Sequence, residues 1–434
     1  MSSAICQNFV QNAWKKELCS NCFKSKDEHT EKPKPRPIDD TDTENEYSTP
    51  EPAPRKSLSL STDSLMTGGA GEEKRKEKNK DNYGAVVVAN HEALAQVLEN
   101  IQQQSNHVQP ALRGLKSSPN LRWIDFSMKS GTSAVTVGRR TFHQALWGTQ
   151  HVTLMVNTDT VTSSTLSLGT FSLTPVTEFS DLIAESYTVK SESKDSAKQR
   201  QATVSVLPWL QVNTIESYSE LLKSKAQNHE DMWKDANFVM LQLVNALKTL
   251  QAQGIEELPL SLNCFVLCKD VDKDTHHRLC VLQGLAPDPA NKSDEEYGTL
   301  CVIALKALNF LQPSPKITPL IHSLLNKERA VSLTQVKSVL EFCLWGPSDV
   351  CLGSTIRERE LALQRWLDLQ RATVLHGLVC ARVQLTVHEE CHLLFLVRSS
   401  ARMMCDASLL IESSNMKHSN FGGGHKEYVR AGTS

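Results

Sequence analysis

The chain has 434 residues, too many for one small domain and, at roughly 100–200 residues per domain, enough for two or three units. Lys and Arg number 47 against 49 Asp and Glu, a formal net charge of −2, which removes any whole-chain electrostatic case for nucleic acid or an anionic membrane. MSSAICQNFVQNAWKK has no basic-then-apolar leader pattern, no run of about 18 apolar residues exists, and the 12 cysteines read as reduced thiols, so a soluble intracellular protein with no membrane span is expected.

Residues 1–29 form a cysteine-containing motif. Cys19-x-x-Cys22, with Cys6 upstream and His29 downstream, supplies the donor types of a four-ligand zinc site, although the outer spacings match no standard finger. The alternative is a short interaction peptide with reduced thiols and no cofactor. Residues 30–88 are dominated by Pro, Ser, Thr and charge, bury too little apolar surface to offset their ordering entropy, and read as a disordered arm with GEEKRKEKNK as a solvated linker. Within the arm, Tyr47-Ser48-Thr49-Pro50 follows Glu44 and Glu46. Phosphorylated Tyr47 would offer a dianion to an Arg pocket, with Pro50 at the +3 position that SH2 adaptors of the Crk type prefer. Ser57 and Ser59, behind Arg55-Lys56, fit basophilic phosphorylation and 14-3-3 capture, with chance occurrence in a Ser-rich arm as the alternative. KPKPRP and PEPAPRK contain no strict P-x-x-P, so an SH3 ligand is the weaker reading against an extended linker.

The pattern changes near residue 89. In ANHEALAQVLENIQQQ, Leu94, Val97, Leu98 and Ile101 recur at i, i+3, i+4 and i+7, one apolar stripe on a helix over 89–104. SAVTVGRRTFHQALWGTQHVTLMVN then predicts strands, YTVKSESKDSAKQRQ a surface loop, and ATVSVLPWLQV a further strand. MWKDANFVMLQLVNALKTLQAQG predicts a helix stopping at Gly254. CFVLCKD and HRLCVLQG read as two strands around a polar turn, in which Asp270, Asp272, Asp274 and His276-His277 are expected at the solvated surface. From residue 294 the pattern is helical, including a long stretch after Arg357. Strands first and helices second argue for a two-lobed α+β domain with helical additions at both ends.

The layout of a long helix ending in Q-x-x-G-I, then N-C-F-V-L, a turn and R-L-C-V-L-Q-G-L-A resembles a protein-kinase large lobe. Aligning Asn263 with the catalytic-loop Asn puts Leu258 at the catalytic Asp. Aligning Gly284 with the Gly of D-F-G puts Leu282 at the magnesium-binding Asp. V-T-L-M-V (152–156) resembles V-A-I-K-V, with Met155 at the Lys, and Gly138 is the one glycine of the loop before it. Asp294 fits the buried Asp that opens a large-lobe core helix, while 157–206 offers no place for the αC helix and its Glu. Phosphoryl transfer needs cations at the phosphates and a carboxylate to take the hydroxyl proton, and none of these three substitutions supplies either. The pattern therefore resembles a pseudokinase.

F-C-L-W-G-P (342–347), L-Q-R-W-L-D-L-Q-R (363–371) and the opening Cys6-x-x-Phe9…Trp14-Lys15…Cys19-x-x-Cys22-Phe23-Lys24 are similar to the pragmin/PEAK family of pseudokinase scaffolds (New Kinase Family Three), of which this would be a short member. The resemblance implies a pseudokinase domain at 120–350, flanked by a split helical dimerisation module at 89–104 and 355–414, with a disordered tail at 415–434. It implies dimer-interface residues Leu94, Val97, Leu98 and Ile101 on one side and Leu363, Trp366, Leu367 and Val374 on the other. It also implies a cytoplasmic scaffold, self-associating or pairing with related family pseudokinases, that recruits adaptors in tyrosine-kinase signalling at actin and focal adhesions. The competing reading is an active or nucleotide-binding atypical kinase using Asp270, Asp272 or Asp274.

Overall fold

Seven strands lie between residues 126 and 213: β1 (Phe126–Met128), β2 (Val135–Val137), β3 (Arg140–Trp147), β4 (Gln150–Asn157), β5 (Thr177–Ala184), β6 (Gln199–Leu207) and β7 (Leu210–Asn213). Six of them form an antiparallel sheet in the order β1-β3-β4-β6-β5, with β2 also paired to β3. Gly148, at φ +58°, closes the two-residue turn between Trp147 and Gln150, a conformation that costs a residue with a Cβ. The period of two then sorts β4: Val152, Leu154 and Val156 enter a core with Leu112, Leu115, Phe126, Val204 and Val206, while Met155 faces the opposite side. ATVSVLPWLQV is two strands rather than the single expected one, because Pro208 cannot donate to a ladder.

The structure is a computed structural model that describes residues 71–104, 109–129, 131–158, 166–188, 199–225, 229–272, 276–282, 296–348, 351–381 and 385–421. Cys6, Cys19, Cys22, His29, Tyr47, Pro50, Ser57, Ser59, Asp274, Gly284 and Asp294 lie outside the described residues.

The second lobe is built around a central helix. α1 (Gly71–Gln104) precedes the sheet; after it come α2 (Ile215–Lys225) and α3 (His229–Gln251). From Ala236 to Leu247 α3 is buried on nearly every side, Asn237 and Gln242 included, where the sequence placed Phe238, Leu241, Leu243, Val244 and Leu247 mostly on one side; it ends as predicted, with Gly254 at φ +81°. Strands β8 (Glu257–Pro259), β9 (Phe265–Asp270), β10 (Arg278–Val281) and β11 (Tyr297–Thr299) form two small sheets, β10-β9-β7 and β11-β8. Gln242, buried in α3, fixes the start of β10: its Nε2 donates to His277 O at 2.9 Å and its Oε1 accepts from Leu279 N at 3.0 Å. Helices α4 (Leu300–Leu311), α5 (Thr318–Leu325) and α6 (Ser332–Trp345) close the lobe around α3.

Three further helices, α7 (Ile356–Ala381), α8 (Val387–Arg398) and α9 (Ala401–Phe421), pack on the lobe and on α1. α7 and α8 each start at a reciprocal cap, Thr355 with Glu358 and Thr386 with Glu389, which satisfies donors that the first turn leaves open. α1 begins at Gly71, inside the stretch expected to be a disordered arm, and α9 runs past residue 414 into the expected tail. Glu, Lys and Arg have high helix propensity, so a segment too polar to pack can still extend a packed helix. Among the described residues no helix is long and apolar enough to cross a membrane.

Candidate functional site

The space between the two lobes is where a kinase-like layout would hold a nucleotide, and apolar side chains from both lobes meet there. Val137 on β2, Phe142 on β3 and Leu207 at the end of β6 meet Leu210 and Val212 on β7, Val266 and Cys268 on β9, Cys280 on β10 and Leu282, all buried. Met155 and Leu173 pack against them half-buried. Phe142 is 2% exposed and stands opposite Met155 in the β3–β4 ladder. The hydrogen bond shared with Cys280, and then burial, push the Cys268 thiol well above its ordinary value, so Cys268 contributes a neutral group to an apolar interior.

The connection between the lobes has its polar backbone groups engaged. Leu210 N donates to Thr153 Oγ1 at 3.0 Å, and Leu210 O accepts from Gln144 Nε2 at 2.7 Å. A heteroaromatic ring entering here would have to displace both partners as well as the apolar side chains. The turn between β2 and β3 reaches across to the second lobe. Gly138 is at φ +58°, and a Cβ there would lie 3.3 Å from Asn263 Cβ, so the single glycine of this loop sits directly on the turn that carries Asn263.

Among the described residues no α-helix lies between β4 and β5, where a kinase carries αC. Residues 166–173 instead run as a strap onto the second lobe. Ser167 N donates to Gln253 Oε1 at 2.9 Å and Gln253 Nε2 returns a bond to Ser167 O at 2.8 Å. Leu168 is buried in the large-lobe core, Phe171 packs beside it, and Ser172 bridges to Val281 on β10. This strap has no short-range signal in the sequence; its anchors become partners only through the packing of distant segments.

Of the residues singled out in the sequence, the structure brings Met155 and Leu282 into one apolar cluster, with Asn263 exposed at its mouth. Leu258 is elsewhere: it is fully buried on β8 in the large-lobe core. Asp270 accepts from Gln109 Nε2 at 3.2 Å, and its other carboxylate oxygen accepts from Asp272 N at 3.1 Å. Leu94 and Leu98 pack with Leu393, beside Val97, Ile101 and Val374, and Leu363 and Leu367 pack with Phe395 and Leu396, beside half-buried Trp366. The segments flanking the two lobes thus meet within one chain, and much of each stripe is covered there.

His276-His277 is a correction. Rather than solvated surface, His277 is buried, with its ring edge-on to Tyr218 at 4.7 Å, because α2 and α3 close over the start of β10. His276 stacks on His388 of α8 at 5.1 Å between ring centroids, and its Nε2 lies 3.8 Å from Asp235. Trp345, at the end of α6, donates from Nε1 to His388 Nε2 at 3.3 Å and also lies against His392, 5.4 Å between rings. The signal for this cluster is the spacing His388-Glu389-x-x-His392, which on a helix is a zinc-hydrolase pattern. The surroundings do not fit that chemistry. Glu389 is occupied as the cap of α8, His388 accepts from an indole, and among the described residues no group of three or more His, Cys, Asp or Glu is placed to hold a metal. Burial, and then the neighbouring His276, hold His388 below its ordinary value, and burial first, then His388, pushes His392 down to about 4.

Comparison with solved structures finds the crystal structure of the pseudokinase PEAK1 (Sugen Kinase 269), with a TM-score of 0.54 and 13% sequence identity, covering 75% of this chain and 99% of that one. No family model and no curated protein sequence matches the chain. At that identity the likeness establishes the fold alone: a kinase-like fold in which a curled antiparallel sheet sits over a helical lobe.

Proposed function

We propose that this chain is a catalytically inert, kinase-like scaffold of the pragmin/PEAK type, which dimerises and recruits signalling adaptors. The observation that carries the first half is the interlobe space packed with Phe142, Met155, Leu207, Val266 and Leu282. Phosphoryl transfer is mostly charge stabilisation, through Lys and magnesium at the phosphates and an acid that takes the hydroxyl proton. Met155 and Leu282 bring no charge to that space, and Leu258 is buried in a different core. Titrating the protein with Mg-ATP while following thermal unfolding tests this. Binding at 100 times the dissociation constant would stabilise by about 2.7 kcal/mol, and a magnesium-dependent rise of that kind would overturn the reading.

The second half rests on the sequence resemblance and on surface left uncovered by the flanking helices. Leu361, Leu369 and Val379 on α7 are 52%, 62% and 71% exposed, and Tyr83 and Val86 on α1 are also exposed. With Leu94, Leu98, Leu363 and Leu367 buried inside the chain, these outer residues, together with half-buried Trp366 and Val374, are the surface we assign to a second copy. A homodimer would double each arm motif and raise avidity by effective concentration, with phosphorylated Tyr47 and Pro50 engaging Crk-type SH2 adaptors and Ser57 and Ser59 serving 14-3-3. The cytoplasmic face of actin-rich adhesions is the setting in which such a scaffold would work. Light scattering at micromolar concentration decides this half, since a monomeric protein would end the scaffold-by-dimerisation reading.

A further inference from the structure

We propose that His388 and His392, packed beside His276, form a pH-sensitive joint, in which protonation of the two α8 histidines loosens α8 from the kinase-like body. The three come from separate places, the β9–β10 turn and two successive turns of α8, and they meet where α8 lies against α3 and the end of α6. His388 Nε2 accepts the Trp345 indole N–H at 3.3 Å, and its ring packs on Phe238 at 5.0 Å and on His276 at 5.1 Å. An imidazole can accept only while that nitrogen keeps its lone pair. An imidazolium carries N–H at both nitrogens, so charging His388 turns an accepted bond into two donors facing each other.

The charged surroundings offer His388 little compensation. From α3 comes Asp235, which lies 3.8 Å from His276. From β10 comes Arg278, paired with Glu390 of α8 at 2.7 Å. From α6 come the neutral donor Trp345 and Glu341, whose carboxylate is bound to Lys337 at 2.6 Å. On α8 itself, Glu389 is bound to Thr386 as the helix cap, and His392 is a second neutral ring whose charging would add repulsion. Glu389 pulls the His388 value up, but burial and the neighbouring His276 outweigh it, and the net shift is downward.

The sign follows from the depressed values. Above the ordinary histidine value of 6.5 both rings are neutral and the joint is intact. As pH falls below 6.5 the released form takes up protons that the docked form refuses, so docking weakens, by up to about tenfold per pH unit for His392. For His392 this window extends down to about 4.

Hydrogen exchange read by mass spectrometry on the full chain tests the joint, at pH 7.5 and 5.5 with exchange times scaled for the intrinsic rate. The peptide over 387–398 should lose about tenfold protection or more at pH 5.5 relative to the peptide over 236–247 of α3 in the same chain. His388→Gln keeps an oxygen acceptor for Trp345 and cannot charge, so it should reduce that loss. His276→Gln, at the partly exposed turn, removes the ring that, after burial, holds His388 low, so it should also reduce that loss, and it stands as the test if His388→Gln fails to fold. Parallel loss in both peptides of the wild type, no loss in either, or wild-type acid loss in both variants overturns the proposal.

Discussion

Phe142→Ala is the sharpest probe of the filled interlobe space. The ring is 2% exposed and surrounded by Val137, Leu207, Val266 and Leu282, from both lobes. Full burial of a Phe is worth about 1.5–3 kcal/mol in transfer alone. A residual cavity of about 100 Å³, at about 24 cal/mol per Å³, adds roughly 2 kcal/mol if the walls do not relax. The expected loss is therefore about 3–5 kcal/mol, a large part of the about 5–15 kcal/mol of a typical domain. Urea unfolding followed by circular dichroism reads it, with Leu182→Ala, at 58% exposure, as a surface control expected to move stability by less than about 0.5 kcal/mol. A loss below about 1 kcal/mol would mean that the space is open and wet, and the argument against nucleotide binding would go with it. The same variant gives a second reading: with room created, Mg-ATP should still leave the unfolding transition unmoved, because the described residues of this cluster carry no cation.

Arg371→Met should cost about 3–5 kcal/mol by chemical unfolding, since the guanidinium donates to Leu396 O at 2.9 Å and Ser399 O at 2.8 Å and lies 3.6 Å from buried Asp368. Gly138→Ala should cost about 1–2 kcal/mol in the same measurement, from the left-handed backbone and the approach to Asn263. Leu361→Glu should leave circular dichroism unchanged and lower the mass seen by light scattering, whereas Leu94→Glu should unfold the helical module; the reverse pattern would move the interface to the inner stripe. A phosphopeptide over 43–54 should bind a Crk-type SH2 domain, more weakly after Pro50→Ala, and equal binding of the unphosphorylated peptide would remove the mechanism.

What was legible in the sequence is what depends on neighbours along the chain. The period of two in β4, the apolar α3 and its stop at Gly254 all follow from local pattern and backbone geometry. Met155 and Leu282, singled out by strand and turn spacing, lie in one apolar cluster. Leu258 shows the limit: counting residues from Asn263 fixes its place in the chain but not the way its side chain turns, and it enters the large-lobe core. The strap at 166–173 and the His276–His388 stack join residues far apart in sequence, so no window of periodicity contains them. GEEKRKEKNK misled for the opposite reason, because composition measures the capacity to pack, and a helix continued from α1 needs only propensity.

The strap also bears on mechanics. A two-lobed enzyme breathes, opening to take substrate and closing around it, and that hinge is a degree of freedom its partners can exploit. Here the reciprocal Ser167–Gln253 bonds, the Ser172–Val281 bridge and the shared cluster around Phe142 lash one lobe to the other. Opening the two lobes like a jaw would break these contacts, which favour a strut. Two proteins gripping its opposite ends would be held at a constant separation, and whether both can engage would be decided by distance and angle rather than by a change of state in the platform itself.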